Sequence, residues 1–296
     1  MPSVSLYTGT SVDSTTAADT LVDTSKHRRY ELCLSFAQTM IGDFFLTVHQ
    51  PATHTLFSTL GHIACCIDSH LDALDLDQKE KLLSEFPVFF DQLPENDQEE
   101  AFTWHLSALC IKIGTALYPP SAASMLFRFY SYCRKNNLLE PLLAFSLAVI
   151  RSGIDKSKAQ TPQAILNCLH EEGKAAIRFL LLLLTKENLI DPASPRYLPL
   201  QTYLSRLECM LNIADDLSDH RKDKKRGTIS LPINLSYFRV LGKRLLHTFV
   251  LTIWSQPLLF PKHFIFFTGR YLSSEVGKSV NCTHARLPEG LERKTT

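Results

Sequence analysis

Asp215, Asp216, Asp219 and Asp223 fall in the stretch from Asp215 to Pro232, which reads DDLSDHRKDKKRGTISLP. On an α-helix, spacings of three and four residues gather all four carboxylates on one side. Like charges so placed destabilise an isolated helix, so a fold either leaves them in water or uses them to hold cations. The residues before them, Tyr203 to Ala214, are apolar enough to form a buried helix running into the acids. Acids on a buried helix need a partner. Hard carboxylate oxygens with room for water suit Mg²⁺. The rival reading is a solvated helix end, with Lys222, Lys224, Lys225 and Arg226 interleaved and Gly227 as the residue after the last turn.

A second acidic stretch, Ile67-Asp68-Ser69-His70-Leu71-Asp72-Ala73-Leu74-Asp75, shifts the balance. Asp68 and Asp72 share a helix face, and Asp75 continues it. The approach from Leu60 to Ile67 is again apolar, so carboxylates arrive at a helix C-terminus, the unfavourable end of the dipole for anions. A cation would remove that penalty. His70 points away from Asp68 and is read as an exposed, loop-side histidine. Two buried helices, each ending in D-x-x-x-D, can wall a pocket on two sides. Mg²⁺ ions held there can grip a diphosphate and neutralise it as a leaving group during C–O ionisation. An apolar lining would keep water from the resulting carbocation. Phe36, Phe44, Phe127, Phe129, Tyr130, Phe179, Trp254 and Phe266 are candidates for that lining.

The elements that must position these acids are helical throughout. Apolar residues recur at helical intervals over Tyr30 to Val48, Ala52 to Leu74, Asp77 to Phe86, Glu99 to Leu117 and Ala122 to Asn136. The period continues over Leu138 to Ile150, with a break at Arg151-Ser152-Gly153, and over Ala164 to Leu184. A linker at Asp191 to Pro195 introduces the helix that ends in the second acidic stretch. Tyr237 to Trp254 and Phe264 to Ser274 follow, split by Pro257 and Pro261. No run alternates as a strand would, so the expectation is an all-α, single-domain helical bundle around a central cavity. Its limits are placed at residues 27–277, between a disordered or loosely attached segment 1–26 and a polar tail 278–296.

Composition narrows the function classes. The 296 residues are 45% hydrophobic and 21% charged, enough for a sizeable core. A formal net charge of +1 supplies no overall field to recruit nucleic acid or an anionic membrane. The most apolar run, Phe179 to Leu184, is far short of the roughly 20 residues a bilayer span needs, so no transmembrane segment is expected. Eight scattered cysteines without a CxxC read as reduced core thiols of a cytoplasmic protein.

From Arg28 to Tyr271 the order and spacing of these features resemble the class I isoprenoid synthase superfamily. Asp68-Ser69-His70-Leu71-Asp72 is similar to the DxxxD form of the first aspartate-rich motif in squalene and phytoene synthases. Asp219-x3-Asp223-x3-Gly227-x3-Leu231-Pro232 resembles their second signature, DxxxDxxxGxxxLP. Asn212-Ile213-Ala214-Asp215-Asp216 resembles the lead-in to it, and both registers stay open. Thr228 stands where those enzymes carry Arg, and no arginine pair follows Asp72 as in chain-elongating synthases.

The resemblance implies an outlying terpene synthase that ionises an allylic prenyl diphosphate and cyclises or quenches the cation. Head-to-head coupling of two prenyl diphosphates is the alternative, and a non-catalytic prenyl- or partner-binding protein is the third reading. It also implies Mg²⁺, about three ions held with the substrate diphosphate. Asp68, Asp72, Asp215, Asp216, Asp219 and Asp223 are the metal-ligand candidates. Arg178, in the Leu-rich helix, is a candidate diphosphate partner or else a snorkelling arginine. Lys225 and Arg226 flank the second site, and Arg270-Tyr271 resembles the Arg-Tyr pair of terpene cyclases. A homodimer is a further possibility.

Overall fold

A computed structural model describes residues 38–39, 41–43, 51–94, 98–226 and 235–265, without the side chains of 51–58, 215 and 218–226. Among these, the regular elements are all helical. They are α1 (Pro51–Asp72), α2 (Leu76–Asp91), α3 (Glu99–Ile113), α4 (Pro120–Lys135), α5 (Leu139–Lys158), α6 (Pro162–Lys186), α7 (Tyr197–Arg226) and α8 (Leu235–Ser255). Helical residues 38–39 and 41–43 precede α1, and a short helical piece at 259–265 follows α8. The expected segments 1–26 and 278–296, and the helix end from Phe266 to Ser274, lie outside the described residues.

Local chemistry explains most boundaries. Asp75 caps α2 by accepting from the Gln78 amide, and the Gln78 side chain returns the bond to the Asp75 amide. Thr161 caps α6 ahead of Pro162, a residue suited to the first helical turn. Gly114, at φ 81°, ends α3 in the left-handed conformation before the expected end at Leu117.

One helix runs past its expected end, and one expected break is absent. Helix α2 continues through Pro87 to Asp91, burying Phe89 against Phe102. Helix α5 runs through Arg151-Ser152-Gly153 to Lys158. Glycine inside a helix costs only about 1 kcal/mol. The flanking Ile150 and Ile154 are both buried, which outweighs it.

Helix α5 packs along α6 and also on α2, while α7 packs between α6 and α8. One apolar cluster joins Ile177, Leu181 and Leu184 of α6 to Leu200, Tyr203, Leu204, Leu207 and Met210 of α7. A second unites α2, α3, α4 and α5 around Phe89, Phe102, Phe127, Tyr130 and Ile154. A third seats Tyr237 and Leu241 of α8 on Cys209 and Ile213 of α7. Ile63 of α1 packs with Phe129 of α4 and Phe179 of α6, which fixes where α1 delivers its acids. Among the candidates for a cavity lining, Phe127, Phe129, Tyr130 and Phe179 are core residues. Trp254 is instead 85% exposed, because its helix turns that face away from the bundle. Phe36, Phe44 and Phe266 lie outside the described residues.

The six described cysteines are free thiols, and five of them are buried. Burial pushes the Cys133 thiol up to about 12.

Candidate functional site

Three helices converge on a polar cluster inside the bundle. Asp216 of α7 is 3% exposed, and Lys156 of α5 forms an ion pair with its Oδ1. One turn before Lys156, the Ser152 hydroxyl donates to Glu172 Oε2 of α6 at 2.8 Å and lies 3.2 Å from the Cys168 carbonyl oxygen. Next to Glu172 is Gly173, where α6 and α7 approach closely. A β-carbon there would stand 3.0 Å from Glu208 Cγ and 3.7 Å from Asn212 Nδ2. Glu208, Asn212 and Asp216 recur every fourth residue and so line one face of α7.

The electrostatics tie the first acidic stretch to the second. Burial pushes the Glu172 carboxyl above the ordinary range; Lys156 and the Ser152 hydroxyl oppose that, while the charges of Asp68 and Asp216 add to it. Glu208 is pushed up to about 7, first by burial and then by the charge of Glu172. The Asn212 amide pulls the other way, although its nitrogen is buried without a well-formed hydrogen bond. Both glutamates keep some accessible surface along their side chains. Asp68, 148 residues before Asp216 in the chain, thus acts on the same carboxyl as Asp216.

The remaining residues of the first stretch have different environments. Asp72 is partly buried beside Asp68's turn of α1. Asp75 is the α2 cap rather than a continuation of the acidic face. His70 is not an exposed loop residue: it lies within α1, half-buried, with its ring stacked on Tyr118 at 4.3 Å. Burial lowers its proton affinity. Arg178 is exposed on α6, and its charge reaches Glu171 on the same helix. The side chains of Asp215, Asp219, Asp223, Lys225 and Arg226, and all of Arg270 and Tyr271, lie outside the described residues.

Lys156, Glu172 and Glu208 were not among the residues singled out from the sequence. Glu208 was accessible to that reasoning, since it heads the four-residue repeat through Asn212 to Asp216. Lys156 and Glu172 carry no local signal and join the cluster only through helix packing.

Among the described residues, no three of the His, Cys, Asp and Glu side chains stand close enough to enclose a metal ion. Mg²⁺ does not require that, because it retains waters and takes one or two carboxylates together with phosphate oxygens. Crowded carboxyls that bind protons more tightly than usual are also a donor set that added positive charge would stabilise.

A separate network lies about 20 Å along α7 from Asp216. Tyr203 Oη is 2.9 Å from His263 Nδ1, and His263 Nε2 is 2.7 Å from Asp43 Oδ2. Lys262 also donates to Asp43. This chain fastens residues 41–43 and the piece at 259–265 to α7. No helix among the described residues is long and apolar enough to cross a membrane. No protein-family model, curated protein or solved structure matches the chain.

Proposed function

We propose that the protein is a Mg²⁺-dependent terpene synthase of the class I isoprenoid type, ionising an allylic prenyl diphosphate. The observation that carries this reading is that Glu172 feels the charges of both Asp68, from one D-x-x-x-D helix, and Asp216, from the other. Mg²⁺ bound there would supply charge neutralisation for the departing diphosphate. Asp68 and Asp72 would serve it from α1, with Asp216 and the further acids of α7 opposite. Lys156, already at Asp216, would orient that carboxylate and lend positive charge to the diphosphate side. Glu172 and Glu208 would release their protons as cations enter.

The Lys156–Asp216 pair also favours a second reading, in which the cluster is a buried structural network of a binding protein. Incubation with geranyl, farnesyl or geranylgeranyl diphosphate, with and without Mg²⁺, separates the two. Release of inorganic pyrophosphate that needs Mg²⁺ and is lost in Asp68→Asn and Asp72→Asn is expected. Extracted products then distinguish cyclisation from coupling of two substrates. A folded protein that releases no pyrophosphate from any of them supports the structural reading.

A further inference from the structure

We propose that the outer face of α8, with the turn after it, docks on an anionic lipid surface. The proposal does not rest on the isoprenoid reading. Tyr237, Leu241, Thr248 and Thr252 define the buried side of α8. On the opposite side the helix changes character along its length. Its first half presents Arg239 and Lys243, both exposed. Its second half presents Leu246, Val250, Ile253 and Trp254, and Leu258 and Ile265 in the segment after it are exposed as well. Trp254 and Leu258 are 85% and 86% exposed. Side chains this large and apolar, gathered on one stripe, mark an interaction surface rather than scattered exposure.

Charge identifies the occupant. Between Asp223 and Glu275 the sequence holds eight Lys and Arg residues and no Asp or Glu; of these, Arg239, Lys243 and Arg244 are exposed on α8, while Lys262 is paired with Asp43. The near-zero net charge of the whole chain conceals this local excess. A helix with Lys and Arg beside Leu and Trp suits the boundary between lipid headgroups and acyl chains, where the apolar residues insert and the cations meet anionic headgroups. Trp is at home at that boundary because its ring is apolar and its N–H polar. A second copy of the chain is a poor fit. Face-to-face pairing would set Arg239 and Lys243 against another copy of α8, whose sequence contains no Asp or Glu.

Trp254 itself provides the readout, since the chain has two tryptophans and Trp104 is the other. In a Trp104→Phe background, the full chain is mixed with vesicles of phosphatidylcholine alone or with a third phosphatidylserine, and flotation and emission are followed. Co-flotation with the anionic vesicles, a blue shift of Trp254 and weakening by salt are expected. Arg239→Gln with Lys243→Gln should weaken anionic binding about thirtyfold. Leu258→Asp should abolish the blue shift while leaving the circular dichroism of the protein unchanged. If either variant misfolds, the salt titration of the parent decides. Absence of flotation, or equal binding to both vesicle types, overturns the proposal. So does a Trp254 spectrum already blue-shifted without vesicles, whether in a monomer, where the chain itself covers the face, or in a dimer, where a second copy does.

Discussion

A β-carbon added to Gly173 would come within 3.0 Å of Glu208 Cγ, making this glycine the point of close approach between α6 and α7. In an ordinary exposed helix, replacing Gly by Ala stabilises by about 1 kcal/mol. Here overpacking reverses the sign, and Gly173→Ala is expected to cost about 1–2 kcal/mol. In a Glu208→Ala background the same change should become neutral or stabilising, because the crowded atom is gone. Urea denaturation of the four proteins measures this coupling, and simple additivity would refute the close approach.

Breaking the ion pair between Lys156 and Asp216 leaves a buried charge behind. Lys156→Met or Asp216→Leu alone should lower stability by about 3 kcal/mol. The double substitution should cost less than the sum of the two, since apolar side chains can replace a buried pair at little loss. Chemical denaturation at one pH tests this. Equal and additive losses would mean the pair is not coupled.

Glu208 makes stability fall as pH rises. Its carboxyl titrates near 7 in the folded protein and in the usual carboxylate range when unfolded. Between those values the folded state binds more protons, so stability declines with increasing pH. The cost is absent below the unfolded pKa and complete above 7, on the order of 3 kcal/mol. Glu208→Gln should therefore match the parent near pH 4 and exceed it at pH 8. A stability difference that does not change with pH would contradict this.

His263 works in the opposite direction. Burial favours the neutral ring and lowers its pKa, although the hydrogen bond and charge of Asp43 pull the other way. The neutral form matches its neighbours: Nε2–H donates to Asp43, and Nδ1 accepts from the Tyr203 hydroxyl. The unfolded state then takes up the proton first, so stability is complete above about 6.5 and is lost as pH falls below it. His263→Ala should cost about 2–4 kcal/mol and remove that acid sensitivity, while Tyr203→Phe should cost about 1 kcal/mol. Thermal midpoints from pH 5 to 8 resolve the two effects.

The helices were legible because burial on one side imposes a 3.6-residue period, and this reached the ends of α1, α4 and α6 to within two residues. The period also exposed two acidic helix ends. Glycine misled at α5, since its local preference is worth about 1 kcal/mol and packing can exceed it. Asp75 misled in another way: the spacing that continues an acidic face equally suits a helix cap, and the turn after α1 decided between them.

By itself, then, the sequence determined an all-α chain with carboxylates at the ends of two apolar helices. Tertiary structure alone decided which carboxylates meet, that Lys156 and Glu172 join them, and that Trp254 faces outward. The physical reason is that periodicity records which side of each helix is buried. Which helices become neighbours depends on ridges, close approaches such as Gly173 and polar bonds between residues distant in the chain, and these leave no period to read.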